Sequence, residues 1–173
     1  MDLVVSAREC GFDDACLVDP SIIQCRQEIR DICTNGLCPM PGTCWSCPPG
    51  CGSLEDRRAF IAGFQQGVVL QTIRRDFDYM DMEATGKVKV EHDQRLFALL
   101  DILRSGGEKP QVFTSGGCGL CAPCSYPEPC LKPEERFEAI SSSGIDLDEL
   151  CGRIGMEYSF QKGTLRFVSI ILL

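Results

Sequence analysis

"LRFVSIILL", residues 165–173, is the stretch on which the fold turns. It is apolar and rich in β-branched residues, yet far shorter than the ~18–20 residues that cross a bilayer, so it reads as a buried strand. Just before it, "MEYSF" (156–160) and "TLRFVSIIL" (164–172) flank a Lys-Gly turn, which predicts a terminal hairpin. Working outward, "ACLVD" (15–19), "GVVLQTI" (67–73) and "QVFTS" (111–115) have the same strand character. Helical signals lie between them. Residues 1–10 form a short helix stopped by Gly11, and Asp19-Pro20-Ser21 opens a helix reaching about Cys33. Ser53 with Asp56 makes a capping box for "LEDRRAFIAGF" (54–64). Leu96, Leu99, Leu100 and Leu103 have helical spacing, giving a helix over about 91–104 that ends at Gly106-Gly107. Further helices are expected from Pro133 to about Ser141, and from Asp146, with Glu149 completing its cap, to Gly155. The polar residues 76–90 carry no clear period. Helices and strands mix without strict alternation, which predicts an α+β (α/β) class: a mixed or antiparallel sheet with helices packed on it and two cysteine-rich loops on element ends. No linker or low-complexity tract interrupts the 173 residues, so 1–173 is expected to be a single metal-binding domain.

Apolar residues make up 44% and charged residues 24%, a globular balance that excludes disorder. The net charge of −8 argues against nucleic acid and anionic membrane as partners, because both select basic patches. "MDLVVSAREC" (1–10) lacks the basic region and long apolar stretch of a signal peptide, so the expected location is the cytoplasm. In that reducing setting the 13 cysteines, an odd number, read as metal-binding or redox residues and not as a disulfide framework.

Loop two, "GGCGLCAPCSYPEPC" (116–130), holds Cys118, Cys121, Cys124 and Cys130. The first three form C-x2-C-x2-C, close to the ferredoxin run C-x2-C-x2-C-x3-C-P; here the last gap is five residues, and Pro129 precedes the final cysteine. A 4Fe–4S cube takes one thiolate per iron, and three evenly spaced cysteines wrap one cube while a fourth arrives from further along. Zinc sites use two separated C-x2-C knuckles, often with histidine, and are the alternative here. Gly116, Gly117 and Gly119 let backbone N–H groups approach sulfur. Loop one, "CTNGLCPMPGTCWSCPPGC" (33–51), holds Cys33, Cys38, Cys44, Cys47 and Cys51, one thiol more than a cube needs. Its proline and glycine content precludes regular backbone hydrogen bonding, and metal would supply the order. A second 4Fe–4S cluster is the preferred reading, and a zinc site the alternative. Trp45 is either a shield for a cluster or an ordinary core aromatic.

"IRDICTNGLCPMPGTCWSCPPGCGSLEDRR" (29–58) and "GGCGLCAPCSYPEPCLKPEERFEAISSSGIDL" (116–147) resemble the small predicted metal-binding proteins of domain-of-unknown-function family 2284, and the likeness runs from "GFDDACLVDPS" (11–21) to "TLRFVSIILL" (164–173). The family pattern in loop one is C-x4-C, an aromatic–Gly stretch, W-x-CPP, then G-[ST]-LE. Cys33, Cys38 and Cys47 fall on its cysteines, Cys51 falls where relatives carry Cys or an aliphatic residue, and Cys44 is a departure. All four cysteines of loop two match. The resemblance implies a presumed iron–sulfur protein of anaerobic bacteria and archaea, some members being associated with corrinoid-dependent methyl transfer.

The remaining residues have plainer readings. His92, between Glu91 and Asp93, is expected on a solvated helix face. Cys10, Cys16, Cys25 and Cys151 are expected in the core, with Cys25 a spare ligand at most. "SSSG" (141–144) lacks the lysine of a phosphate loop and reads as a helix end. The expected function is electron transfer through two 4Fe–4S clusters to a redox partner protein, held by Cys118, Cys121, Cys124 and Cys130 and by Cys33, Cys38, Cys47 and Cys51, with Cys44 as alternate. An accessory enzyme or activase with an open cluster and a structural zinc adaptor are the other readings. A redox carrier fits the sequence better than a stand-alone enzyme.

Overall fold

The structure is a computed structural model that describes residues 2–36, 38–78, 80–159 and 161–173. Five helices, α1 (Leu3–Glu9), α2 (Gln27–Thr34), α3 (Leu54–Ile61), α4 (Met82–Ser105) and α5 (Leu147–Arg153), accompany five strands. The strands are β1 (Asp14–Val18), β2 (Gly67–Arg74), β3 (Gln111–Thr114), β4 (Glu138–Ala139) and β5 (Leu165–Leu172). They form one sheet in the order β1-β2-β5-β3-β4, antiparallel except for the parallel β3–β4 pair, which makes the predicted mixed sheet.

The period-two rule explains how the sheet fills both layers. Val69, Phe113, Val168, Ile170 and Leu172 point to one face and pack with Ile61 of α3, Leu150 of α5, Ile140, Ile145 and Met156. Val68, Leu70, Val112 and Ile171 point to the other and meet Leu3 and Ala7 of α1 and the Leu96, Leu99, Leu100 and Leu103 stripe of α4. Burying each such leucine contributes about 2 kcal/mol. The two central strands are therefore apolar on both faces, which is why "LRFVSIILL" reads as a continuous run.

That double burial also overturns the terminal hairpin. β5 pairs with β2 over Gly67–Arg74 and with β3 over Gln111–Thr114, and residues 156–159 form no strand; Phe160 lies outside the described residues. The predicted helix from Asp19 to Cys33 is also broken. Pro20–Ile22 makes a single 3₁₀ turn capped by Asp19, after which Cys25 bridges Ile145 and the chain restarts as α2. The predicted helix from Pro133 does not form. Its residues yield β4, because pairing with Phe113 and Thr114 satisfies the backbone there.

α4 starts much earlier than its leucine stripe announces. Asp81 caps it by accepting from Ala84 N–H at 2.9 Å, and Gly107, at φ +87°, closes its far end. His92 is fully buried, contrary to the expected solvated face. Its Nδ1 lies 2.9 Å from Thr72 Oγ1 and its Nε2 2.9 Å from Ser169 Oγ, so the ring satisfies two hydroxyls of the sheet. Burial, with Lys89 and Arg95 nearby, lowers its pKa to about 3. Among the described residues no helix is long and apolar enough to cross a membrane.

Candidate metal centre

Both cysteine loops are anchored where regular elements stop. Loop one leaves the last turn of α2 and ends at the capping box of α3, where Ser53 Oγ accepts from Asp56 N–H at 3.1 Å and Asp56 Oδ2 accepts from Ser53 N–H at 2.7 Å. Loop two follows β3 and returns as β4. The turn at 140–144 then brings Ser141 and Ser142 back against loop one. Gly144, at φ +72°, has no room for a side chain, since a Cβ would stand 2.6 Å from Arg26 O.

Four loop-one thiols are buried: Cys33, Cys44, Cys47 and Cys51. Cys33, Cys47 and Cys51 gather around Ser142, while Cys44 Sγ lies 3.4 Å from Ser46 Oγ. Cys33 Sγ lies 3.7 Å from Ser142 Oγ and 3.5 Å from Ser141 Oγ, and Cys51 Sγ lies 4.0 Å from Ser142 O. Cys47 lies beside Cys44, which raises its pKa, and near the hydroxyls of Ser142 and Ser46, which lower it. Burial first, and then Cys44, pushes the Cys47 thiol up to about 12. Burial also raises the Cys51 thiol, opposed by the Arg30 and Arg57 cations. Cys38 is half-buried and makes no described hydrogen bond to the other four. The structure therefore brings together Cys33, Cys47 and Cys51 of the expected set, and places Cys44 with them.

Positive charge converges on this group. Arg30, one turn before Cys33 on α2, reaches Cys51 Sγ at 3.5 Å and also bonds Gly52 O. Arg30 Nη1 and Arg57 Nε are buried without a hydrogen-bond partner among the described residues. Unsatisfied buried donors on cations are costly unless an anionic group takes them, and a thiolate-ligated metal centre is anionic. The donor set thus fits such a group.

In loop two, Cys118, Cys121, Cys124 and Cys130 are each half-buried and line one cavity together with Trp45, Lys132 and Arg136. Burial raises the Cys118 thiol, while backbone N–H groups of Leu120 and Phe137 bond its sulfur and pull the other way. Trp45 is neither fully buried nor a core aromatic. Its Nε1–H donates to Glu128 O at 2.9 Å, and its ring meets Tyr126 edge-on at 5.1 Å. It covers loop two from loop one. All four expected ligands of loop two therefore share one chamber. Among the described residues no three His, Cys, Asp or Glu side chains are close enough to hold one metal ion between them.

The two loops touch. Cys118 N–H donates to Ser46 Oγ at 2.8 Å, and Ser46 Oγ lies 3.4 Å from Cys44 Sγ. Sequence reasoning missed Ser46, Ser141 and Ser142, and the cations Arg30 and Arg57. The "SSSG" run and the residue between Trp45 and Cys47 were visible, yet only the fold shows them facing sulfur. Cys25 and Cys151 lie in the core as expected, and Cys10 and Cys16 are half-buried at its margin.

A family model described as "Predicted metal-binding protein (DUF2284)" matches residues 16–173. No curated protein and no solved structure matches the chain.

Proposed function

The chain belongs to the DUF2284 family of predicted metal-binding proteins, and from that premise we propose that it is an iron–sulfur electron carrier with two 4Fe–4S clusters in one cytoplasmic domain. The observation that carries this reading is the contact between two cysteine groups, four thiols lining one loop-two cavity and four buried in loop one. Cys118, Cys121, Cys124 and Cys130 hold one cluster. Cys33, Cys47 and Cys51 hold the other, and Cys44 takes the fourth position because it is already buried against Cys47, with Cys38 as the competing thiol. The spread of the thiols suits a body larger than a single ion, which favours a cube over tetrahedral zinc.

The clusters supply one-electron redox chemistry; the chain supplies access and tuning. The half-buried thiols of loop two make it the point of exchange with a partner, whereas four of the five loop-one thiols, Cys33, Cys44, Cys47 and Cys51, are shut away from solvent. N–H groups of Leu120 and Phe137, the hydroxyls of Ser46 and Ser142, and Arg30 and Arg57 stabilise the more negative, reduced states. The partner in this reading is an oxidoreductase or a corrinoid methyl-transfer system. The fifth thiol of loop one favours a second reading, an accessory enzyme whose loop-one cluster has an exchangeable ligand.

Iron, acid-labile sulfide and zinc per chain, measured in protein purified without oxygen and paired with an EPR spectrum after reduction, test the proposal. About eight irons and eight sulfides are expected for two cubes. About four of each, lost only when loop-two cysteines are replaced, would transfer weight to the accessory reading. Zinc without sulfide would overturn both.

A further inference from the structure

We infer that Ser46 couples the two centres, so that the redox state of one is felt at the other; this rests on the two-cluster reading above. Ser46 is fully buried and belongs to loop one, yet its oxygen accepts the backbone N–H of a loop-two cysteine, Cys118, at 2.8 Å. A hydroxyl has one proton. With its oxygen taken by Cys118 N–H, that proton is free for sulfur, and Cys44 Sγ is in reach at 3.4 Å. The result is a continuous path of direct contacts, Cys118 N–H to Ser46 O–H to Cys44 sulfur.

The loops are in contact at this point: a Cβ at 117 would stand 3.4 Å from Ser46 Oγ and 3.5 Å from Cys44 Sγ, ordinary packing distances. Adjacent hydrogen bonds polarise one another in a low-dielectric interior. An electron held at a loop-one centre would add negative charge to the Cys44 sulfur, and the Ser46 O–H bond to it would tighten. Its oxygen then becomes a better acceptor for Cys118 N–H. The proton stays on Ser46, and the electron alone moves; a one-electron partner protein at loop two replaces it.

Ser46→Ala removes the hydroxyl and leaves the cysteines. A charge-assisted hydrogen bond of about 1.4 kcal/mol corresponds to about a tenfold change in an equilibrium. At one-electron reduction, the electron should therefore shift about tenfold from the loop-one centre toward the loop-two centre. The readout is the ratio of the two reduced EPR signals, each assigned from variants lacking one loop's ligands, at full iron and sulfide content. Ser46→Thr keeps the hydroxyl and is expected to restore the native ratio. An unchanged ratio in fully loaded Ser46→Ala protein would overturn the inference while the two-cluster reading stands. Absence of sulfide in the native protein would instead remove that reading. Should Ser46→Ala lose iron, Gly117→Val, whose γ-carbons branch from a Cβ already in contact with Ser46 Oγ and so press loop two off Ser46, takes its place: a fully loaded variant with the native ratio overturns the coupling, and a shifted ratio supports it.

Discussion

Arg57 Nη1 lies 3.3 Å from Glu138 Oε2 in an ion pair almost wholly removed from solvent, with 12% of the arginine side chain and 3% of the carboxylate side chain exposed. The other oxygen, Oε1, accepts from Arg136 Nη2 at 2.6 Å. Arg57 serves the loop-one thiols and Arg136 lines the loop-two chamber, so one carboxylate on the edge strand β4 braces the cationic walls of both.

Removing one partner of a buried pair leaves the other charged and unpaired. Glu138→Ala is therefore expected to destabilise the fold by about 3–4 kcal/mol. Glu138→Gln, which keeps the shape and can accept from one arginine, is expected to lose less. Denaturant unfolding of the anaerobic protein checks this. A loss below about 1 kcal/mol in Glu138→Ala would show the arginines to be paired elsewhere.

In the two-cluster reading proposed above, the fourth ligand of loop one is open to direct count. Cys44→Ser is expected to strip the loop-one iron, while Cys38→Ser keeps it, because Cys44 is buried against Cys47 and Cys38 is half-exposed. Iron and sulfide per chain, measured in each variant, decide the matter. The reverse pattern would make Cys38 the ligand and Cys44 a packing residue.

Trp45 is the single tryptophan and lines the loop-two chamber, which makes it a built-in reporter. Its fluorescence is expected to be strongly quenched when the chamber is loaded and to recover when a chelator removes the metal. Trp45→Ala is expected to keep the iron but lose the loop-two cluster faster in air, as the cover over it is gone. Equal bleaching rates would assign Trp45 to anchoring Glu128 alone.

His92 gives the fold an acid sensitivity with a defined sign. Its native pKa is about 3 against an ordinary 6.5, so between those values the unfolded chain carries a proton that the folded one does not. Stability falls as pH drops through 6.5 and levels off below the native value, with a loss of about 2 kcal/mol by pH 5. His92→Gln retains hydrogen bonds to Thr72 and Ser169 and is expected to flatten this part of the curve. Urea midpoints of both proteins at pH 5 and pH 7.5 give the comparison; parallel curves would remove His92 from the account.

Local chemistry was legible wherever its partner is close in sequence. The Ser53–Asp56 box and the Asp146 cap sit three residues from what they bind. The cysteine spacing identified the loops for the same reason. The first half of α4 was hidden because Met82–Glu91 is polar, includes Gly86 and buries only Val88 before His92, so the period starts late. Ser141 and Cys33 are separated by 108 positions, a distance over which no local pattern operates. The burial of His92 likewise depends on Thr72 and Ser169, which the sheet alone places beside it.

The position of β5 has a consequence for how the protein is made. It is the last strand in chain order, yet it stands between β2 and β3. Until the ribosome has delivered residues 165–172, β1 and β2 can pair, but β3 and β4 have nothing to join them to that pair. Both cysteine loops precede β5 in the chain, so they are made before the strand that closes the sheet beside them, and a chain stalled short of β5 carries its loop-one thiols without the packing that buries them.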